Sequence, residues 1–300
     1  MAPPFRKAAL FAKPRTEANR PGLVAAAASI LQVLERRGVE PMVEEGTREA
    51  LGLENLPGHD TARIGAHADL AVVLGGDGTM LGIARELVAY DVPLIGVHYG
   101  RLGFMTDIAL DGMPEMLDRM LGGEFETERR TVLEAEVVRS GSVLQHGHAL
   151  NDVVVSHGVA GGMVEFTVRI DGDDIYNQRA DGIILATPTG STAYALSAHG
   201  PILHPSLAGL VLVPVAPHTL SNRPICLPDS AEIEIELTEV RDASAHFDMQ
   251  TFSRLAEGDI VRARRGARTV RLLHPPGYNY FATLRRKLHW NVMSSVERGR

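Results

Sequence analysis

The chain has almost no cysteine and very little lysine. Cys226 is the single thiol among 300 residues, which excludes an internal disulfide and a cysteine-rich zinc site. Coming after Pro224-Ile225, its expected role is packing. The only lysines are Lys7, Lys13 and Lys287, so the basic charge is almost all arginine. None of the three stands near the glycine-rich turn described below, which disfavours a mechanism that needs a lysine beside that turn. No uninterrupted apolar stretch reaches the ~20 residues that span a bilayer. The apolar run at 8–12 is too short and too early for a signal peptide, so a cytoplasmic protein with no membrane partner is expected. A formal charge of −7 argues against a general nucleic-acid binder. The chain also lacks Gly-Lys-Ser/Thr, Gly-x-Ser-x-Gly and His-Glu-x-x-His. P-loop, serine hydrolase and zinc protease readings therefore have no anchor.

What is present is patterned. The first part alternates strand and helix: a strand over 8–12, a helix over 23–37 ending at Gly38, and a strand over 41–43. A strand over 69–74 follows, buried on both faces by its lack of alternation. Then come a helix over 80–90, a strand over 93–97, and a helix over 114–121 started by Pro114 and stopped by Gly122-Gly123. Such alternation predicts a parallel sheet with helices on its faces. The pattern changes near Glu128. Residues 132–138 alternate, with a hairpin turn expected at Gly141-Ser142. Further strands are expected over 152–156, 164–170, 182–187, 211–215, 232–237, 260–263 and 270–274. An amphipathic helix over 281–290 closes the chain.

The central motif is Gly75-Gly76-Asp77-Gly78-Thr79. A buried strand that breaks on glycines and restarts as a helix turns at the carboxyl end of a sheet. Its backbone N–H groups and helix dipole favour an anion. An aspartate in the middle is poorly placed to hold a phosphate, but well placed to take a proton from a hydroxyl that attacks one. The third glycine of the dinucleotide fingerprint is missing, since Met80 and Leu81 follow. A plain strand-to-helix turn with Thr79 near the helix start remains the other reading.

A second run is Asp181-Gly182-Ile183-Ile184-Leu185-Ala186-Thr187-Pro188-Thr189-Gly190-Ser191-Thr192-Ala193-Tyr194, continuing through Ala195-Leu196-Ser197 to Gly200-Pro201. Its hydroxyls and N–H groups suit a phosphate or a ribose, and equally a well-capped helix. Asn151-Asp152 pairs an amide with a carboxylate that can grip an adenine edge or a ribose diol, or it is a turn before a strand. Arg179 pairs either with phosphate or with Asp181. His146-Gly147-His148 reads as a polar hairpin rather than a metal pair. Arg285-Arg286-Lys287 reads as the polar face of the terminal helix.

Taken together, these residues resemble the NAD kinase family. The matching stretches are 75–79, Gly100-Arg101-Leu102-Gly103-Phe104, Asn151-Asp152, 181–201, Phe247-Asp248-Met249-Gln250 and the tail over 279–288. The glycine turn alone is shared with lipid kinases and phosphofructokinases; the Thr-Pro-Thr-Gly-Ser-Thr-Ala-Tyr run is far more specific. The resemblance implies transfer of the terminal phosphoryl group of ATP, accompanied by Mg²⁺, to the 2′-hydroxyl of the adenosine ribose of NAD. It implies Asp77 as general base, with Gly75, Gly76, Gly78 and Thr79 at the phosphates. Asn151 and Asp152 would hold the ribose and adenine end. Thr192, Ala193, Tyr194 and Ser197, in one stretch with Ala195 and Leu196, would line the adenine and ribose pocket, and Phe104 would pack on an adenine. Arg179, Asp181 and Gln250 would reach the nicotinamide half, partly across a subunit interface. With a charge at Arg179, the chain resembles the branch of the family that prefers NAD to NADH.

Two positions depart from the family pattern. Asn-Glu is frequent where this chain has Asn151-Asp152, and some relatives carry a larger polar residue at Gly162. The implied fold is an α/β domain with a parallel sheet (1–129 plus 276–300) and a β-rich, sandwich-like domain (130–275), with the terminal helix returning to the first. A homodimer or homotetramer through the β-rich domain is also implied. The rivals are a lipid or other small-molecule kinase sharing the turn, and a non-catalytic dinucleotide sensor.

Overall fold

Residues 1–128 and 271–300 form one unit and 129–270 another. The computed structural model describes residues 4–13, 16–100, 102–158, 162–219, 221–240 and 242–290. Arg101, part of one matching stretch, lies outside them. The first unit is built on a parallel sheet. Its strands run side by side in the order Leu94–His98, Leu70–Gly75, Lys7–Ala12, Glu40–Glu44, Gly58–His59. Leu70, Val72 and Leu74 join a core with helices Arg20–Arg36 and Met113–Leu121, while Ala71 and Val73 are buried on the other face. Burial on both faces explains why this strand reads as an unbroken apolar run. The chain adds strands on one side of Lys7–Ala12, then returns to its other side with Leu70–Gly75. The order therefore reverses between these two, and in open α/β sheets ligands bind outside the carboxyl ends of the strands at that point. The terminal helix Tyr280–Leu288 belongs to this unit, capped by the Asn279 side chain on the Ala282 N–H. No described helix is long and apolar enough to cross a membrane.

The second unit is strand-rich and antiparallel. One sheet has the order Ile225–Pro228, Gly209–Val215, Gly182–Ala186, Asp152–His157, Ala243–Phe247, Thr251–Leu255. Its inward residues, among them Val153, Ile183, Leu185, Leu212 and Phe247, share one core with Phe166, Val168, Ile235 and Val261 from the facing strands. The opposite face buries Val154, Ile184, Ala186, Val211 and Val213 beneath Ala195 and Leu203. The α/β and β-rich architecture and the returning terminal helix match the expected fold class.

Several local expectations change. The helix after the glycine turn begins at Asp77, not Met80, because Gly76 is its extended N-cap. Helices Glu45–Leu51 and Thr61–His67 were not anticipated, though Glu44 and Asp60 cap them through side-chain oxygens. The strands expected over 260–263 and 270–274 are one continuous strand, Ile260–His274. Cys226 is exposed on the Ile225–Pro228 edge strand rather than packed.

Candidate functional site

The glycine turn follows strand Leu70–Gly75 and opens helix Asp77–Leu87, whose Met80, Leu81, Ala84 and Leu87 anchor it at helical spacing. Half-buried Asp77 sits in the first turn. Its Oδ2 accepts the Phe104 N–H at 2.8 Å, and its Oδ1 accepts the Met105 N–H at 3.1 Å and the Thr106 hydroxyl at 3.4 Å. The 102–106 segment is thus a cradle for the carboxylate, a role its sequence did not disclose. Gly103 makes the approach possible: a Cβ there would lie 2.0 Å from Asp77 Oδ1. At Gly78 a Cβ would point into open space, so protein packing does not demand that glycine. At Gly75 a Cβ would meet the Thr79 hydroxyl at 2.7 Å.

A small concavity beside the turn is lined by Lys13, Asn19, Gly75, Gly76, Thr79 and Tyr99. This overturns the expectation that no lysine stands near it. Lys13 follows strand Lys7–Ala12, which pairs Ala12 with Leu74, so both chain ends emerge together at the reversal of strand order. Lys287 is not simply polar helix face either. Its ammonium donates to the Leu102 carbonyl at 2.7 Å and lies 5.3 Å from the centre of the Phe104 ring. Arg285 and Arg286 remain exposed.

In the second unit three stretches converge. Ala186 pairs with Asp152, and the Thr187 N–H donates to the Asn151 carbonyl at 2.9 Å. A Cβ on Gly190 would lie 2.0 Å from that same carbonyl oxygen, so only glycine lets the turn approach. Asp248 completes the group. Its carboxylate accepts the N–H groups of Leu150, Asn151 and Asp152 at 3.0, 2.7 and 3.2 Å. Asp248 and Met249 both have left-handed backbone, at φ 52° and 54°, in the tight turn that carries Gln250.

Asp152 is 2% exposed, and its Oδ1 has no partner among the described residues. Burial first, and the nearby Asp248 charge second, push its pKa up to about 7. An orphaned buried acceptor is costly in a lone protein and is satisfied by a ligand that brings hydroxyl donors.

The hydroxyls of the 187–192 turn are spent internally. Thr187 donates to the Leu150 carbonyl at 2.5 Å. Ser191 donates to Pro188 at 2.6 Å and accepts the Leu203 N–H at 2.9 Å; Thr192 donates to Thr189 at 3.1 Å. Thr189 takes a bond from the fully buried Arg130 at 3.2 Å, a residue not singled out from sequence. The helix Tyr194–Ser197 has Ala193 as N-cap with no side-chain bond. These hydroxyls brace the turn, and the Thr187 hydroxyl also accepts the Gly190 N–H at 3.2 Å where the short 3-10 turn begins. Thr192, Ala193, Tyr194 and Leu196 are half-buried and Ser197 is exposed, whereas the Ala195 methyl is core.

Arg179 and Asp181 are not part of this group. Asp181 precedes Gly182, at the opposite end of the strand from Ala186 and Asp152. At about 3.3 Å per residue that end is roughly 16 Å away. Arg179 is exposed and lines a separate shallow concavity with Gly162, Met163, Glu165 and Glu239. No ion pair joins Arg179 to Asp181. His146 and His148 lie in strand Ser142–Ala149 with rings in edge contact at 5.3 Å. Among the described residues no group of three or more His, Cys, Asp or Glu side chains is placed to hold a metal.

Family profiles match both parts of the chain: "ATP-NAD kinase N-terminal domain" over residues 10–125 and "ATP-NAD kinase C-terminal domain" over 150–274. The NAD kinase of Burkholderia pseudomallei is 53% identical over 279 residues, 93% of each chain. That of Burkholderia thailandensis is 54% identical over the same share. Among solved structures, yeast NADH kinase complexed with NADH aligns with a TM-score of 0.88 at 26% identity, covering 99% of this chain and 91% of that one. An NAD kinase from Archaeoglobus fulgidus in complex with ATP gives 0.71 at 25% identity, covering 94% and 98%. At this identity, sustained over nearly the whole length of both sequences, the chain belongs to the NAD kinase family.

Proposed function

We propose that this chain transfers the γ-phosphoryl group of ATP to the 2′-hydroxyl of the adenosine ribose of NAD, making NADP, with Asp77 as the general base. The observation that carries the reading is the Asp77 carboxylate, oriented by two backbone N–H groups at the opening of a helix on a glycine turn. A carboxylate has about four lone-pair sites. Oδ2 accepts a single described donor, the Phe104 N–H, and so retains a site for the ribose hydroxyl proton. Aim matters because phosphoryl transfer is catalysed mostly by positioning and by stabilising charge on the phosphoryl oxygens.

Other residues take separate roles in the same reading. Gly75, Gly76, Gly78 and Thr79 meet the phosphates, and Lys13 adds a cation at the concavity that Gly75, Gly76 and Thr79 line. Mg²⁺ travels with ATP and offsets phosphate charge. Phe104 packs on an adenine. Asp152, with its orphaned Oδ1, and Asn151 bind the ribose and adenine end of NAD. Thr192, Ala193, Tyr194, Leu196 and Ser197 line that pocket, with Ala195 supporting it from the core. Arg179, Asp181 and Gln250 serve the nicotinamide half. In this reading they are delivered partly from another copy of the chain, in a homodimer or homotetramer. The Arg179 charge supports NAD over NADH. A cytoplasmic setting accords with the substrates and with the single exposed thiol.

The test is direct. Purified protein with Mg-ATP and NAD should form NADP, and Asp77→Asn should bind NAD nearly normally while kcat falls by about 10²–10⁴-fold. No NADP above a blank, with NAD still bound, would identify a sensor. Full turnover by Asp77→Asn would remove Asp77 from the mechanism.

A further inference from the structure

His274 is 1% exposed, yet its imidazole faces a carboxylate at each nitrogen. Nδ1 meets Asp107, and Nε2 lies 2.9 Å from Glu128 Oε2. Tyr278 stacks on the ring, with centroids 3.8 Å apart and planes 7° from parallel. Nearby, Glu126 accepts the Gly277 N–H at 2.8 Å. A neutral imidazole donates from one nitrogen only, so two carboxylates call for the imidazolium form. Burial pulls the His274 pKa down, but the bonds and charges of Asp107 and Glu128 outweigh it and the net shift is upward.

The position of Asp107 gives this cluster its meaning. It follows directly on Phe104, Met105 and Thr106, the residues that donate to the Asp77 carboxylate. The same backbone presses on strand Leu94–His98, where a Cβ on Gly96 would lie 2.4 Å from the Met105 carbonyl oxygen. The segment is therefore held by close packing on one strand and by an ionic bridge at its end.

We propose that His274 is a positioning residue for phosphoryl transfer: the Asp107–His274–Glu128 bridge locks the segment whose amides aim Asp77. The proposal rests on Asp77 as base. It carries a pH consequence with a definite sign. A histidine whose folded pKa is raised contributes its full stabilisation below the unfolded value of about 6.5 and loses it as pH rises through the folded pKa. The cradle should therefore loosen on the alkaline side.

The experiment compares wild type, His274→Gln and Asp107→Asn for amide hydrogen exchange at Phe104 and Met105, and for kcat, KM and pH profile. Exchange at both amides should rise. The kcat should fall by about 10- to 100-fold with KM for NAD nearly unchanged, as expected for lost aim rather than lost binding. The alkaline limb of the wild-type profile should flatten in both variants. Unchanged exchange overturns the bridge. Faster exchange with full kcat overturns its catalytic role. Full turnover by Asp77→Asn would instead overturn the base assignment, while the exchange result still reports on the bridge. Should either variant fail to fold, imidazole nitrogen NMR of the wild-type protein decides. Two ring N–H protons on His274 at pH 7 support the proposal, and a single neutral tautomer overturns it.

Discussion

Two turns in this protein begin alike and end differently. Both leave a strand whose residues are all buried, and both lead into a helix. After Leu70–Gly75 the chain enters an 11-residue helix at once, and the one acidic side chain in the turn is held by donors from another segment. After Gly182–Ala186 the turn is rich in hydroxyls but spends them on itself, and the helix that follows is four residues long. The first turn is shaped around a single reactive group. The second is a rigid wall, braced so that its backbone can press against Asn151. In this hydroxyl-rich motif the side-chain bonds serve a close backbone approach.

That contrast can be broken at three points. The largest expected effect is at Gly103. Gly103→Ala puts a methyl carbon 2.0 Å from the present position of Asp77 Oδ1. Displacing the carboxylate by about 1 Å should lower kcat by roughly 100-fold. Steady-state kinetics with a melting curve would separate lost aim from lost fold, and an unchanged kcat would refute the cradle.

Next comes Asp152→Asn. Losing a charged acceptor for ribose hydroxyls should raise KM for NAD by about 10-fold or more. The same change should stabilise the protein at high pH. Between the ordinary carboxylate range and about 7 the folded state binds more protons than the unfolded one, so wild-type stability falls as pH rises through that window. The melting temperature of the variant should exceed that of wild type at pH 8, and the gain should shrink toward pH 4. A gain that grows on acidification would contradict the raised pKa.

The smallest effect is at Ser191, fully buried with its hydroxyl bonded on both sides. Ser191→Ala leaves the Leu203 N–H and the Pro188 carbonyl short of a partner and should cost about 1–3 kcal/mol in denaturant titration. Because the turn braces rather than binds, kcat should change little. A large kinetic loss without a stability loss would show that the hydroxyl serves ligand directly.

Some of the site could be seen in the chain itself. Gly75 to Thr79 between an apolar run and a helical one is local, and so is Asn151-Asp152 before three valines. Other signals were present but quiet. Glu44 and Asp60 are N-cap residues for the two unanticipated helices. The strand Ser142–Ala149 is polar and largely exposed at its start, so it lacks the apolar alternation that marks a half-buried strand. Nothing near His274 announced a role, because both of its carboxylate partners lie more than a hundred residues away in sequence.

Where strands break on glycine, which segments are buried on both faces and which family the chain resembles are all legible in the linear order of residues. Apolar patterning and glycine backbone freedom act over a few residues, so they can be read in order. That Lys13 stands at the glycine turn, that 104–106 holds Asp77, and that Asp181 stands away from Asp152 emerge only in the folded chain. These depend on which strand lies beside which, and strand order is set by packing across the whole sheet rather than by any one stretch of chain.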